Sequence, residues 1–246
     1  MKNHYSNNYP IVNLYKKTST KSEIVTQMIY GDSFSIIRKT KKWLTIKIKE
    51  DGYKGHVQNK KFNHYIRPTH KVQVLKAKIY KYPNKKNVLN ELTFGSKIKA
   101  EEKKSYFIKF KNGWINQKDL KVINFKEKNI FNKIELFKNV KYKWGGKSFK
   151  GIDCSALIQV CVNFNNRFCP RDTNDQVKYF KKNIKLKNIK KNDVIYWRGH
   201  VGVLLSKNKL IHAYGPLKKT ILMDFNISVK RIEKTASLKI IGIKRI

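Results

Sequence analysis

Between residues 9 and 122 the chain spells one short series of signals twice. Leu14-Tyr15-Lys16 returns as Ile79-Tyr80-Lys81, and Tyr30-Gly31-Asp32 as Phe94-Gly95-Ser96. Trp43-Leu44 returns as Tyr106-Phe107, and Gly55-His56-Val57 as Gly113-Trp114-Ile115. The offset drifts from 65 to 58 residues, as it does for two copies of one unit whose loops differ in length. Within each copy the apolar spacing is that of short strands. Trp43–Ile48 (WLTIKI) alternates, and the Asp51-Gly52 after it is a turn signal. Two small all-β units therefore occupy the first half, 1–67 and 68–125, with Arg67-Pro68-Thr69 as the joint.

From about residue 126 the pattern changes. Apolar residues at 130, 131, 134, 136, 137 and 140 predict a helix over 130–140, and those at 156, 157, 160, 161 and 164 a second over 153–164. Beyond residue 190 strands dominate: 194–197, 200–205, 210–214 and 238–245. Helices followed by a strand block make 126–246 an α+β domain.

The chain carries 56 Lys+Arg against 16 Asp+Glu, a formal charge of +40. Such a field attracts anionic polymers and small acidic substrates alike. Only seven of the 56 are arginine, the residue suited to bidentate phosphate and base recognition, so no specific nucleic-acid site is expected. The many Asn, Ile, Tyr and Phe residues fit AT-rich coding, which accounts for much of the lysine. A basic, non-enzymatic polyanion-binding protein is the alternative of another class. No run approaches a membrane span, and the start lacks the apolar core of a signal peptide, so a cytoplasmic protein without membrane contact is expected.

The three cysteines, at 154, 161 and 169, fit neither a disulfide framework nor a short zinc pair. No metal or cofactor is expected. Cys161 falls on the apolar stripe of its helix as core, and no role follows for Cys169. Cys154 differs. It opens the second helix directly after Asp153, a good N-cap, and a helix N-terminus favours a thiolate. His200 opens one strand and His212 ends the next. A hairpin centred on Ser206 would set the two rings directly opposite one another. Thiol, base and orienter are the parts of a nucleophilic site, with Cys154 attacking, His200 taking its proton and His212 fixing the tautomer of His200.

The motifs extend beyond the three reactive groups. In order they are Tyr142-Lys143-Trp144-Gly145-Gly146, Gly151-Ile152-Asp153-Cys154-Ser155-Ala156-Leu157, Pro170-Arg171-Asp172 with Gln176, Lys191-Asn192-Asp193, Gly199-His200-Val201-Gly202 and Ile211-His212-Ala213. Together they resemble the NlpC/P60 cysteine peptidase family. Ala156 and Asn192 stand where that family commonly has glycine. The resemblance implies a papain-like α+β fold and hydrolysis within cell-wall stem peptides, with Tyr142 beside the oxyanion. Arg171 and Gln176 read as loop-building, Trp144 and the glycine pair as shaping a turn, and Trp197 as core or cleft wall. The repeated units resemble bacterial SH3-like barrels, with His56 where such barrels usually carry Trp.

The whole arrangement is similar to the γ-D-glutamyl-L-diamino-acid endopeptidases of wall-peptide recycling. It implies peptidoglycan-derived substrates such as L-Ala-γ-D-Glu-diaminopimelate with a free amine. The groups implied around that amine are Asp153, Ser155 and Asp172, with Glu23 and Tyr53 from the first barrel. An exported wall hydrolase and a cysteine acyltransferase on the same scaffold are the alternatives.

Overall fold

The computed structural model describes residues 4–246. In the first β unit seven strands form one antiparallel sheet, ordered Ile24–Ile29, Ile11–Tyr15, Lys54–Gln58, Trp43–Ile48, Ser33–Lys39, His4–Ser6 and Asn63–His64. The alternation read in WLTIKI decides its facing: Leu44, Ile46 and Ile48 join Leu14, Met28, Phe34 and Val57 in the core. The second β unit has two sheets. Five strands run Val88–Thr93, Lys76–Tyr80, Gly113–Asn116, Phe107–Phe110, Glu102–Lys104, and three run Lys97–Ile98, His70–Val72, Leu120–Val122. Ile79 and Ile115, the counterparts of Leu14 and Val57 in the repeat, lie in its core.

The third unit is built on helix α1 (Cys154–Phe164) and a five-stranded antiparallel sheet. The sheet order is Lys219–Asp224, Lys209–Tyr214, His200–Ser206, Asp193–Trp197 and Ile240–Arg245. Both faces of the sheet are covered. Val194, Tyr196, Val201, Val203 and Ile211 pack with Leu157, Ile158 and Cys161 of α1. The alternate residues Ile195, Trp197, Leu204 and Leu210 pack with Phe225 and Ile232 of a further helix, α3 (Phe225–Ala236). Two-sided burial is why residues 194–197 (VIYW) read as an unbroken apolar run.

The structure corrects the helix expected over 130–140. Only one 3-10 turn, Ile134–Phe137, forms there. The buried residues are Phe131, Ile134, Phe137 and Val140, a spacing of three that successive tight turns satisfy, and Asn139 ends the run at φ +67°. Two helices were not read from the sequence, the short α2 (Thr173–Tyr179) and α3. Asp224 caps α3 through the Ile227 N–H, and Ser237 ends it at φ +53°, so the last strand begins at Ile240 rather than 238.

The three units share buried polar contacts. Lys97 of the second unit reaches Glu50 of the first at 2.7 Å, and Gln159 of α1 donates to Asp51 at 3.2 Å. Among the described residues no helix is long and apolar enough to cross a membrane.

Candidate active site

Cys154 is the first residue of α1 because Asp153 caps it. One Asp153 oxygen accepts the Ala156 N–H at 2.9 Å, and the Asp153 carbonyl accepts the Leu157 N–H at 3.1 Å. The Asp153 carboxylate is itself held by a residue the sequence reading treated as loop filler. The buried guanidinium of Arg171 forks onto both of its oxygens, reaches Ser155 Oγ at 2.8 Å, and donates through Nε to Thr26 Oγ1 of the first β unit at 2.7 Å. With the Gly145 N–H and the Ser155 hydroxyl also donating, Asp153 has five protein donors. The available signal for Arg171 was its being one of seven arginines in a lysine-rich chain, inside the Pro170-Arg171-Asp172 motif. Gln176 adds a second tie, donating to the carbonyls of Ser155 and Pro170 at 2.9 Å each.

The sulfur of Cys154 lies 3.8 Å from the carbonyl oxygen of Gly199, in the two-residue turn that joins Trp197 to its partner His200. Gly199 sits at φ +73°, the left-handed conformation that a type II turn places at its second central residue. His200 therefore enters the site from the start of its strand. Its Nε2 lies 2.9 Å from Nδ1 of His212. The register corrects the expected face-to-face pair. A bulge between Leu204 and Ser206 sets Val203 opposite Ile211, so the two histidines meet on the diagonal. Tyr214 stacks on His212 with centroids 4.9 Å apart, and Trp197 flanks His200 at 5.6 Å.

The electrostatics correct a second expectation. Cys154 is 4% exposed, and burial, reinforced by the charge of Asp153, pushes its thiol up to about 12 instead of lowering it. Burial takes His200 down to about 4, and burial with the neighbouring His200 takes His212 down to about 3. Burial thus disfavours a lone charge on either partner. Moving the proton from sulfur to imidazole makes two opposite charges together, which offsets the penalty each would meet alone. Burial, and then the proximity of Cys154, raises the Tyr142 phenol as well, so it stays protonated and able to donate.

Cys154 opens into a cleft of about 440 Å³ between the third unit and the first. Ser155, Thr173, Asn174 and Gly199 line one side, and Lys16, Glu23, Val25 and Tyr53 the other. Glu23 accepts the Trp144 indole N–H at 2.7 Å and pairs with Lys16 at 3.2 Å, contacts that hold its carboxyl below the usual range. Burial lifts the carboxyl of Asp172, which Arg171 partly offsets, and burial together with Asp172 pushes the Tyr53 phenol up to about 12. The structure thus gathers Glu23, Tyr53, Asp153, Ser155 and Asp172 around one cavity with Cys154. Tyr142, His200 and His212 lie behind its lining, and Lys16, Trp144 and Thr173 are wall residues the sequence reading did not place there. The walls meet in backbone contact. Gly145, at φ +69°, lies so close to the Ile24 carbonyl that no β-carbon fits.

A buried thiol at a helix start, a paired imidazole and a peptide-sized cleft define a cysteine peptidase on an α+β scaffold. Residues 139–230 match the NlpC/P60 family model, and residues 14–62 match that of the bacterial dipeptidyl-peptidase Sh3 domain. The chain thus carries an NlpC/P60 domain with a bacterial SH3 domain on its amino-terminal side. It is 23% identical over 218 residues to the gamma-D-glutamyl-L-lysine dipeptidyl-peptidase of Bacillus subtilis (strain 168), covering 79% of this chain and 73% of that protein. Over 85 residues it is 33% identical to the murein DD-endopeptidase MepS/murein LD-carboxypeptidase of Escherichia coli (strain K12), 31% of this chain and 44% of that one. An NlpC/P60 family protein from Bacillus cereus ATCC 10987 shares the fold at a TM-score of 0.84 and 16% identity, over 98% of this chain and 99% of its own.

Proposed function

We propose that the protein hydrolyses the γ-D-Glu–diamino-acid bond of small peptidoglycan peptides that begin with a free L-Ala. Cys154 attacks the γ-glutamyl carbonyl as His200 takes its proton. His200 then returns a proton to the departing amine, and water releases the acyl group from the sulfur. For His200 to accept at its other nitrogen, its Nε2 must carry the hydrogen and donate to His212 Nδ1. Tyr142 and the Cys154 N–H, which the N-cap bonds of Asp153 leave free, are the donors for the oxyanion.

The observation that carries the reading is the composition of the cleft. Of the 16 acidic residues in the chain, three line this cavity: Glu23, Asp153 and Asp172. Asp153 is occupied by Arg171, so Asp172 with the Tyr53 hydroxyl, and Glu23 in exchange for its exposed partner Lys16, have the capacity to take an ammonium. The first β unit stands across the amino-terminal end of the cleft, which suits freed peptides better than intact wall.

The test is amine release from L-Ala-γ-D-Glu-meso-diaminopimelate and from its N-acetylated form, with Cys154→Ala as control. Cleavage of the free-amine peptide alone supports the reading. Equal cleavage of both would remove the amine pocket and leave a general wall hydrolase.

A further inference from the structure

The second β unit contributes no residue to the wall of the cleft, yet it touches the catalytic helix at its far end. A helix leaves its last four carbonyls without intrahelical donors. In α1 these belong to Cys161, Val162, Asn163 and Phe164. Three are met by the chain that follows. Asn165 Nδ2 donates to Cys161 at 2.9 Å, the Asn165 and Arg167 N–H groups reach Val162, and the Asn166 N–H reaches Asn163. The fourth, that of Phe164, is met by the ammonium of Lys71.

Lys71 is 2% exposed. Its three N–H bonds have three acceptors: the Phe164 carbonyl, the Phe125 carbonyl at 2.6 Å and Asn166 Oδ1 at 3.2 Å. It also lies 4.6 Å from the centroid of the Phe164 ring. Among the described residues no carboxylate comes within ion-pair distance of it. A buried ammonium without a counter-ion is costly, and the negative end of the α1 dipole is what faces it here. Its backbone cannot drift, because the strand His70–Val72 is paired on both sides, to Lys97–Ile98 and Leu120–Val122. At the opposite end, Thr26 of the first unit holds Arg171, which holds the cap of α1.

We propose that the second β unit is the axial stop of the catalytic helix, with Lys71 a positioning residue that keeps Cys154 in place against the turn before His200. A helix of 11 residues moves as one rod, so a slip at Phe164 is a slip at Cys154. A misplacement of about 1 Å at a reacting group can cost about a hundredfold in rate. Burial, then the charges of Lys97 and Lys126, against which Glu127 acts, take the Lys71 ammonium down to about 8. The inference rests on Cys154 as nucleophile and not on the identity of the peptide.

The test uses the full chain with Lys71→Met and, as a milder change, Asn166→Ala. Two rates are read at temperatures where circular dichroism shows each variant folded. One is the iodoacetamide alkylation of Cys154, with Cys154→Ala giving the background from the other cysteines. The other is kcat and KM on L-Ala-γ-D-Glu-diaminopimelate. In Lys71→Met, alkylation and kcat should fall together by about tenfold with KM within twofold, and Asn166→Ala should lose less in the same direction. Lower melting temperatures with both rates within twofold of the parent would reduce Lys71 to a structural residue. If Lys71→Met does not fold, a parental alkylation rate in Asn166→Ala overturns the proposal. If the parent fails to cleave this peptide while alkylation responds as stated, the substrate reading falls and the axial stop stands.

Discussion

His200 Nε2 and His212 Nδ1 lie 2.9 Å apart across a bulged hairpin, and His212 has no exposed surface. In the proposed mechanism this contact leaves the other nitrogen of His200 to accept the proton. His212→Ala should therefore lower kcat by about 10²- to 10³-fold with a small change in KM. His212→Asn, whose carbonyl can still accept from Nε2, should recover part of the loss. Steady-state kinetics of the two variants side by side check this, and equal losses would remove His212 from the orienting role.

Acid should unfold the protein early, and the sign follows from burial. His212 ionises at about 3 in the folded chain against 6.5 for the free side chain, and His200 at about 4. Between those values the unfolded state binds more protons, so stability is complete above about pH 6.5 and is lost as pH falls toward 3. A His212→Phe variant should flatten the fall. Urea midpoints measured from pH 7 to pH 4 read the difference between parent and variant directly.

Arg171→Leu should damage the site more than any substitution on the outer wall of the cleft. It leaves the buried Asp153 carboxylate without its fork, a change that costs about 3–5 kcal/mol in comparable buried pairs. Thr26→Val removes only the Nε bond and should cost about 1 kcal/mol. Chemical denaturation supplies both numbers. A stability loss for Arg171→Leu no larger than that for Thr26→Val would show that the fork contributes little.

Glu23→Gln should raise KM for the free-amine tripeptide about five- to tenfold and leave kcat within twofold. The preference over the N-acetylated peptide should shrink by the same factor. Trp144→Phe, which deletes the indole N–H that holds Glu23, should do the same to a smaller degree. The readout is the ratio of kcat/KM for the two peptides in each variant.

Much of the site was legible in the sequence because its parts are local. The helix start at Cys154 is written in Asp153 and the apolar stripe behind it, and the strand start at His200 in a short apolar run; His212, read as the end of its strand, lies inside Lys209–Tyr214. Asn192, standing where the family commonly has glycine, lies at φ +73°, a region asparagine tolerates better than most residues, so the departure leaves the turn intact. What stayed hidden depends on distance along the chain. Arg171 binds Thr26 from 145 positions away, and Trp144 binds Glu23 from 121. The histidine register turned on one bulged residue, which no periodicity reveals. The raised thiol could not be read either, because the burial of Cys154 comes from tertiary packing and, with the charge of Asp153, overrides the local pull of the helix end. The span 130–140 misled because its apolar residues suit both an α-helix and a row of tight turns.

Gly145 and the Ile24 carbonyl bring the two walls together backbone to backbone, and the Arg171–Thr26 and Trp144–Glu23 bonds tie them as well. A gap fixed in this way acts as a gauge. On the proposed function, such a gap would admit or refuse peptides by size at the entrance. Widening the diet of such an enzyme is then a matter of recutting side chains such as Val25 or Trp144, since the spacing of the walls is not free to change.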